Sequence, residues 1–177
     1  MRFNIIVAID RNRGIGINNK IPWKFRQDLS YFKNLTKGAG DNAIIMGKNT
    51  YLSLNKPLPH RDNIVLSSSL DCIDKSAILC KSMKQLFDYL NHKNAAYDDI
   101  WIIGGSAIYK QFLDMPEYIN KIYITEINDA YDCDTFFPEL PDYYELDNTS
   151  ITSENNTVLT FTTYITPNKK KNETKSH

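Results

Sequence analysis

The sequence predicts a single α/β domain built on a mixed sheet. Two observations carry that expectation. Short runs rich in Ile and Val recur at Phe3 to Ile9, Ala43 to Met46, Asn63 to Leu66, Ala77 to Cys80, Ile100 to Ile103, Lys121 to Ile127 and Thr157 to Ile165, with helical segments between most of them, which is the βαβ rhythm. The middle runs are continuously apolar, as in strands covered on both faces, whereas the last, Val158-Leu-Thr-Phe-Thr-Thr-Tyr-Ile, alternates like an antiparallel strand with one wetter face.

The helical segments are read at Lys24 to Leu35, around Thr50 to Leu54, at Met83 to Leu90 and at Ser106 to Leu113. At about 100° per residue, the first places Phe25, Asp28, Leu29, Tyr31, Phe32 and Leu35 on one arc and Arg26, Gln27, Ser30, Lys33 and Asn34 on the other. The seven glycines fall in four places, and apart from Gly38 and Gly40 each place flanks a strand end, where backbone turns tightly or lets a ligand come close. No internal repeat interrupts the pattern.

The 177 residues suffice for one core, with no composition break arguing for two. Lys+Arg and Asp+Glu are 21 each, so no overall field attracts nucleic acid or an anionic membrane, and neither partner is expected. The segment 167–177 carries four Lys and one Glu and no hydrophobe, leaving 17 basic against 20 acidic residues in 1–166; it reads as a disordered basic tail behind a domain spanning 1–166. Three cysteines, Cys72, Cys80 and Cys133, without CxxC spacing suggest no disulfide framework and no zinc site. The opening run is too short for a signal peptide or a bilayer span, and a cytoplasmic protein is expected.

Asp28 is the most pointed chemical feature. A carboxylate on an apolar helix face costs several kcal/mol without partners, on the order of a buried unpaired charge, so either an internal cation or donor satisfies it or a polar ligand does. Ile44-Ile-Met-Gly-Lys-Asn-Thr-Tyr and Trp101-Ile-Ile-Gly-Gly-Ser-Ala-Ile-Tyr share the order strand, glycine, helix start. Such turns either bend the chain sharply or aim free N–H groups at phosphate, and two could hold a dinucleotide. No GxGxxG follows the first strand, so the usual dinucleotide fingerprint is missing. Lys48, with Ser67 and Ser68, offers a cation and hydroxyls for a 2′-phosphate, or is an exposed lysine beside a serine turn. Arg61, after the doubly proline-stiffened Lys56-Pro-Leu-Pro-His, is suited to a carboxylate or is an ordinary surface arginine. No GxSxG occurs, and the three histidines, His60, His92 and His177, show no metal-ligand spacing. No metal is expected.

Ile6-Val-Ala-Ile, Gly14-Ile-Gly, Ile21-Pro-Trp, Asp28-Leu-Ser-Tyr-Phe, Ile45-Met-Gly-Lys, Pro57-Leu-Pro-His-Arg, Leu66-Ser-Ser, Trp101-Ile-Ile-Gly-Gly, Tyr123-Ile-Thr-Glu and Asp134-Thr-Phe-Phe-Pro occur in this order across residues 3 to about 165. Together they resemble the dihydrofolate reductase family. The resemblance implies an eight-stranded, largely parallel sheet with an antiparallel C-terminal edge and four flanking helices. It implies NADPH-dependent reduction of 7,8-dihydrofolate to tetrahydrofolate by hydride transfer to C6 and protonation at N5, supplying one-carbon units for thymidylate and purine synthesis.

By the same resemblance Asp28, Thr125 and Trp23 form the catalytic end, with Asp28 taking two hydrogen bonds from the pterin and Thr125 bonding that carboxylate. Ala8, Leu29, Phe32, Leu58 and Ile103 would wall the substrate, and Arg61 would grip the glutamyl α-carboxylate. For NADPH it implies Ala8, Ile15 and Gly16 from the first turn, then Gly47, Lys48, Asn49 and Thr50. It adds Leu66, Ser67, Ser68 and Lys81, and finally Ile103, Gly104, Gly105, Ser106, Ala107 and Tyr109. The loop from Asn12 to Ile21 would close over the reacting rings, braced by Asp134. Dihydrofolate and antifolate inhibitors are the implied ligands, and the chain is expected to be a monomer.

The chain departs from common family patterns in its bacterial-type Trp23 to Asp28 spacing beside a eukaryotic-looking Gly14 loop, in His60 where Gly is frequent, and in Lys48 where Arg is frequent, a point charge in place of a fork. A related reductase acting on a ribosylaminopyrimidine phosphate is the runner-up, and Asp28 with Arg61 argues against it. A non-catalytic nucleotide- or folate-binding module is opposed by the complete set Ala8, Asp28, Ile103 and Tyr109.

Overall fold

The computed structural model describes residues 1–93 and 97–166; the basic tail read at 167–177 lies outside the described residues. The elements run β1 (Phe3–Ile9), β2 (Gly14–Gly16), α1 (Arg26–Lys37), β3 (Ala43–Gly47), α2 (Lys48–Ser53), β4 (Asp62–Leu66), β5 (Ala77–Cys80), α3 (Met83–His92), β6 (Ile100–Gly104), α4 (Ser106–Leu113), a 3-10 turn at Pro116–Tyr118, β7 (Ile119–Ile127), β8 (Thr135–Phe136), β9 (Glu145–Glu154) and β10 (Thr157–Ile165). Eight strands form one sheet in the order β5-β4-β3-β6-β1-β7-β10-β9, and β2 with β8 forms a separate two-stranded ladder. Pairing is parallel from β5 through β7 and antiparallel where β10 meets β7 and β9. The expected fold class is the observed one.

Alternation along the central strands sorts side chains onto two layers. Ile5, Val7, Ala43 and Ile45 face a core closed by Leu86 and Leu90 of α3 and by Ile108, Phe112 and Leu113 of α4. Ile6, Ile44 and Met46 face the other side, where Phe32 and Leu35 of α1, Tyr51 of α2 and Leu54 just after it cover them. All five residues of β3 are buried, which explains its unbroken apolar run. No described helix is long and apolar enough to cross a membrane.

Several elements differ from the expectation. Helix α1 starts at Arg26, two residues after Lys24, and ends at Lys37, followed by Gly38, whose φ of 53° and ψ of −135° only glycine adopts freely. Helix α2 starts at Lys48 rather than Thr50. The arc on α1 holds for Phe25, Asp28, Tyr31, Phe32 and Leu35, but Leu29 is 47% exposed. Strand β9 was not anticipated at all. Eight of its ten residues are exposed and its sequence, Glu-Leu-Asp-Asn-Thr-Ser-Ile-Thr-Ser-Glu, is polar because it is an edge strand paired only with β10. What specifies it is the turn: Asn155 and Asn156, at φ 52° and 63°, reverse the chain tightly between β9 and β10, the arrangement that two-residue hairpins favour.

Phe112 is fully buried and meets Phe3 edge-on at 4.9 Å. Phe112→Ala is therefore expected to lower unfolding free energy by about 3–5 kcal/mol, and Ile151→Ser on the exposed edge, at 70% exposure, by less than about 0.5 kcal/mol. Urea titration of both variants checks this, and similar losses would contradict the layer assignment.

Candidate active site

Ala8, Gly47, Leu66, Ile103, Gly104 and Thr125 lie at or near the C-terminal ends of the parallel strands, where ligands bind in open α/β sheets, whereas Leu58 and Arg61 precede the start of β4. Ala8 of β1 pairs with Thr125 of β7, and Thr125 with Phe161 of β10. Around them Ala8, Trp23, Tyr131 and Phe161 pack on buried Phe25, Ile127 and Leu159. This row forms an apolar wall, and α1 carries Asp28 along it.

Asp28 is half-buried and takes a hydrogen bond from the hydroxyl of Thr125, itself 1% exposed. Burial pushes its carboxyl above the ordinary carboxylate range, the Thr125 bond draws it partway back, and the negative charge of Glu154 raises it further. Among the described residues no Lys or Arg pairs with it. The internal cation that would have satisfied Asp28 is not there. One further polar atom is left over nearby in the wall: Trp23 Nε1 is buried with no acceptor among the described residues, while its ring lies 5.1 Å from that of Tyr131.

Arg61 sits just ahead of β4, as its loop suggested, but the prolines are only part of what fixes it. The side chain of buried Asn63 accepts from Leu58 N at 2.8 Å and donates to Leu58 O at 2.8 Å and Arg61 O at 2.9 Å. His60 adopts φ 60°, the conformation glycine takes freely, so the loop keeps its backbone despite the substitution. The guanidinium donates to Thr36 Oγ1 at 2.6 Å and Pro59 O at 3.0 Å, which leaves further N–H groups of the fork uncommitted to these partners. Its partial burial lowers its pKa from the ordinary value. Thr36, the one buried residue of α1, thus orients Arg61, a role that periodicity did not reveal.

The two strand–glycine–helix turns meet. Met46 of β3 pairs with Gly104 of β6, and a Cβ at Gly47 would lie 2.9 Å from Ile108 of α4. Gly104, at φ 118°, lies against the Tyr109 ring, where a Cβ would come to 3.1 Å. At Gly105 a Cβ would meet only Thr50 Oγ1, at 3.5 Å. The backbone there is open on one side, between the N-terminal ends of α2 and α4. Ile103, Gly105 and Ser106 are half-buried, Asn49 and Ala107 are exposed, and Ser106 Oγ donates to Phe136 O at 2.7 Å. Tyr109 is buried and donates to Ile6 O at 2.8 Å; burial raises its phenol far above the ordinary value, so it stays neutral.

Beyond β4, Lys48 Nζ reaches Ser69 Oγ at 3.3 Å, and Lys81 Nζ reaches Leu70 O and Asp71. The two ammonium groups converge on the 67–71 loop. Ser68 is exposed there, but Ser67 is turned inward, its hydroxyl accepting from Ser69 N and Leu70 N at 3.3 Å each. Ser69, which the sequence reading passed over, faces the lysines in its place.

The 12–21 loop is tied down at both ends. Asp134 Oδ2 accepts from Asn18 N at 2.9 Å and Asp134 N donates to Gly16 O at 3.0 Å, matching the expected brace. Asp10, missed in the sequence, is buried and accepts from Asn12 N at 2.9 Å, Gly14 N at 2.7 Å and Tyr131 N at 2.9 Å. Ile15 packs on the main core. Helix α1 has no side-chain cap of its own at Phe25; the carboxylate of Glu154, from β9, accepts from Arg26 N at 2.9 Å and Gln27 N at 3.0 Å.

The arrangement offers an apolar slot with one acid, a fixed guanidinium, and a glycine-lined backbone opening flanked by lysines, consistent with a planar anionic substrate beside a dinucleotide. No group of three or more His, Cys, Asp or Glu that could hold a metal occurs among the described residues. The profile of the dihydrofolate reductase family matches residues 2–166. The chain is 40% identical over 153 residues to the dihydrofolate reductase of Drosophila melanogaster, covering 81% of this chain and 83% of that one. It is 37% identical over 156 residues to that of Aedes albopictus, covering 82% and 83%, and 35% identical over 148 residues to that of Mus musculus, covering 77% and 79%. With a family profile spanning nearly the whole chain and relatives at this identity and coverage, the chain belongs to the dihydrofolate reductase family.

Proposed function

We propose that this protein reduces 7,8-dihydrofolate to 5,6,7,8-tetrahydrofolate with NADPH, and that Asp28 is the group on which substrate recognition rests. The observation that carries the reading is a half-buried carboxylate with a hydroxyl donor and no cation beside it. A pterin presents a ring N–H and a 2-amino group side by side, two donors that match two carboxylate oxygens. Ala8, Leu29, Phe32 and Leu58 enclose the ring and its benzoyl extension, and Arg61 receives the α-carboxylate of the glutamyl group. The exposure of Leu29 suits a residue that gains its contact only from substrate.

The backbone opening at Gly104 and Gly105 and the paired lysines fit NADPH. Gly47, Gly104 and Gly105 with the first turns of α2 and α4, including Asn49, Thr50, Ser106 and Ala107, supply N–H groups for the pyrophosphate. Lys48, Lys81, Ser68 and Ser69 suit the 2′-phosphate, beside Leu66 and Ser67. Ala8, Ile15, Gly16, Ile103 and Tyr109 enclose the nicotinamide end. When bound, the nicotinamide supplies hydride from its C4 to C6 of the pterin, and a proton is taken up at N5.

Among the described residues Asp28 is the one ionisable group at the reacting end of the slot apart from neutral tyrosines, so no paired general base is at hand. Its raised pKa keeps a proton near the pterin at pH values where an exposed aspartate has lost it. Trp23 Nε1, buried without an acceptor, offers a donor at the same wall, and Thr125 fixes the rotamer of the acid. The 12–21 loop, held by Asp10 and Asp134, excludes bulk water from the reacting rings. Free thiols at Cys72, Cys80 and Cys133 fit our placement of the enzyme in the cytoplasm, and we take the unit at work to be the monomer.

The purified protein is expected to oxidise NADPH, followed at 340 nm as the usual nicotinamide band, only when dihydrofolate is supplied; oxidation independent of dihydrofolate would overturn the reading. Asp28→Asn is expected to lose most turnover while folding normally. Because the folded-state pKa of Asp28 lies above its unfolded value, wild-type stability falls as pH rises through that interval, and the ligand-free Asn variant should melt at a higher temperature than wild type at pH 7 and lose the advantage below the unfolded carboxyl pKa. Arg61→Ala should weaken dihydrofolate binding by about ten- to a hundredfold, the worth of a hydrogen bond to a charged group, while leaving NADPH affinity unchanged in a fluorescence titration. Equal weakening of both ligands would remove Arg61 from the substrate site.

A further inference from the structure

Helix α1 begins without a cap from its own sequence: Phe25 stands at the N-cap and its first intrahelical bond is Leu29 N to Phe25 O at 3.0 Å. The N–H groups of Arg26, Gln27 and Asp28 are then the free donors of the first turn. Glu154 reaches across from the end of β9 and takes two of them, with Oε1 on Arg26 N at 2.9 Å and Oε2 on Gln27 N at 3.0 Å. The same strand end holds the Gln27 side chain, which donates to Ser153 O at 3.1 Å and accepts from Thr152 Oγ1 at 2.7 Å. Elsewhere the helix and the hairpin flank an open groove lined by Arg26, Gln27, Ser30, Tyr31, Ser150 and Phe161. The Tyr31–Phe161 ring contact at 4.5 Å, the packing of Phe25 on Leu159 and this polar clamp join them.

Asp28 is the third helical residue, the position from which an acidic side chain ordinarily folds back on the free N–H groups of its own helix. Here it bonds Thr125 instead. We propose that Glu154 is a positioning residue for the reaction: by capping α1 from the neighbouring hairpin it fixes the first turn and leaves the Asp28 carboxylate free to face the substrate slot. The sequence hides this, since 126 positions separate the two acids and β9 is the least apolar strand of the sheet. Register makes it possible, because the tight Asn155–Asn156 turn pairs Glu154 with Thr157 and so places the carboxylate at the hairpin's end.

The clamp also carries a charge. The two backbone N–H bonds hold the Glu154 carboxyl below its ordinary pKa, so it is ionised, and its charge adds to the rise of the Asp28 carboxyl. The other groups that face Asp28 are Thr125 from β7, Tyr31 on α1 and Tyr109 from α4, and the tyrosines are neutral at working pH because burial raises both. Arg26 offsets part of the Glu154 charge from the far side of the cap. Removing the Glu154 charge therefore lowers the Asp28 pKa.

The inference rests on the role given to Asp28 above, and full-length Glu154→Ala and Glu154→Gln test it separately from that role. Glu154→Ala is expected to slow the single-turnover reduction of dihydrofolate by about tenfold, of the order that small misplacements of a reacting group cost, with KM for NADPH unchanged. Glu154→Gln keeps one acceptor oxygen and no charge, so it should lose less rate and shift the pH midpoint of reduction to lower pH. In ligand-free protein, the ¹³C carboxyl titration of Asp28 should move to lower pH in the same variant. Folded variants whose Asp28 titration and rate match wild type, whatever their melting temperature, would overturn the inference and leave Glu154 a structural cap. Full turnover by Asp28→Asn would overturn the reading of Asp28 itself, while the ligand-free titration still decides whether Glu154 acts on that carboxyl.

Discussion

One half-buried carboxylate, held by a hydroxyl and unmatched by any described cation, organises this molecule. Burying a charge without its counter-charge costs free energy, and the fold keeps that cost at Asp28. Thr125 is buried so that its hydroxyl can serve, Phe25, Ile127 and Leu159 dry the surroundings, and two of the free N–H groups of α1 are satisfied by another acid. A folding chain that optimised stability alone would have placed an apolar residue here or an arginine opposite. Neither is present among the described residues, and under the function proposed above the missing donors come from the ligand.

The sheet explains why these parts meet. Ala8, Thr125, Gly47 and Gly104 are distant in sequence, yet each lies at or near the C-terminal end of a parallel strand, so their registers deliver them to one edge. Acid and guanidinium are joined by α1: Asp28 lies in its first turn, and Thr36 in its last turn receives the Arg61 fork at 2.6 Å. A single helix thus spaces the acid from the guanidinium, and about two turns of α-helix set that span.

Much of this was legible in the sequence because it rests on local rules. Unbroken Ile and Val runs mark strands buried on both faces, and glycine before a helix marks the close approaches at Gly47 and Gly104. Asp28 announced itself by breaking an apolar arc. What escaped was decided by tertiary geometry. Strand β9 has no hydrophobic period because nothing covers its outer face, and only its turn and its partner specify it. Asp10, Thr36, Asn63 and Glu154 looked like ordinary polar residues, since their work is to hold backbone or side chains that come near only in the folded state. Leu29, which periodicity places on the apolar arc, is instead 47% exposed, since no described neighbour covers that edge of the helix.

Asp10 gives the counterpoint to Asp28. Its carboxylate is saturated by three backbone N–H groups from two different stretches, Asn12 and Gly14 on one side and Tyr131 on the other, and the ladder of Gly14 with Phe136 and Gly16 with Thr135 stitches the same stretches again. The loop that bears Gly14 and Gly16 and the 131–136 segment are therefore mechanically one plate, joined through a buried carboxylate and a short ladder. Any displacement of that loop must carry the 131–136 segment with it, so the moving unit is thicker than the loop that bears the glycines.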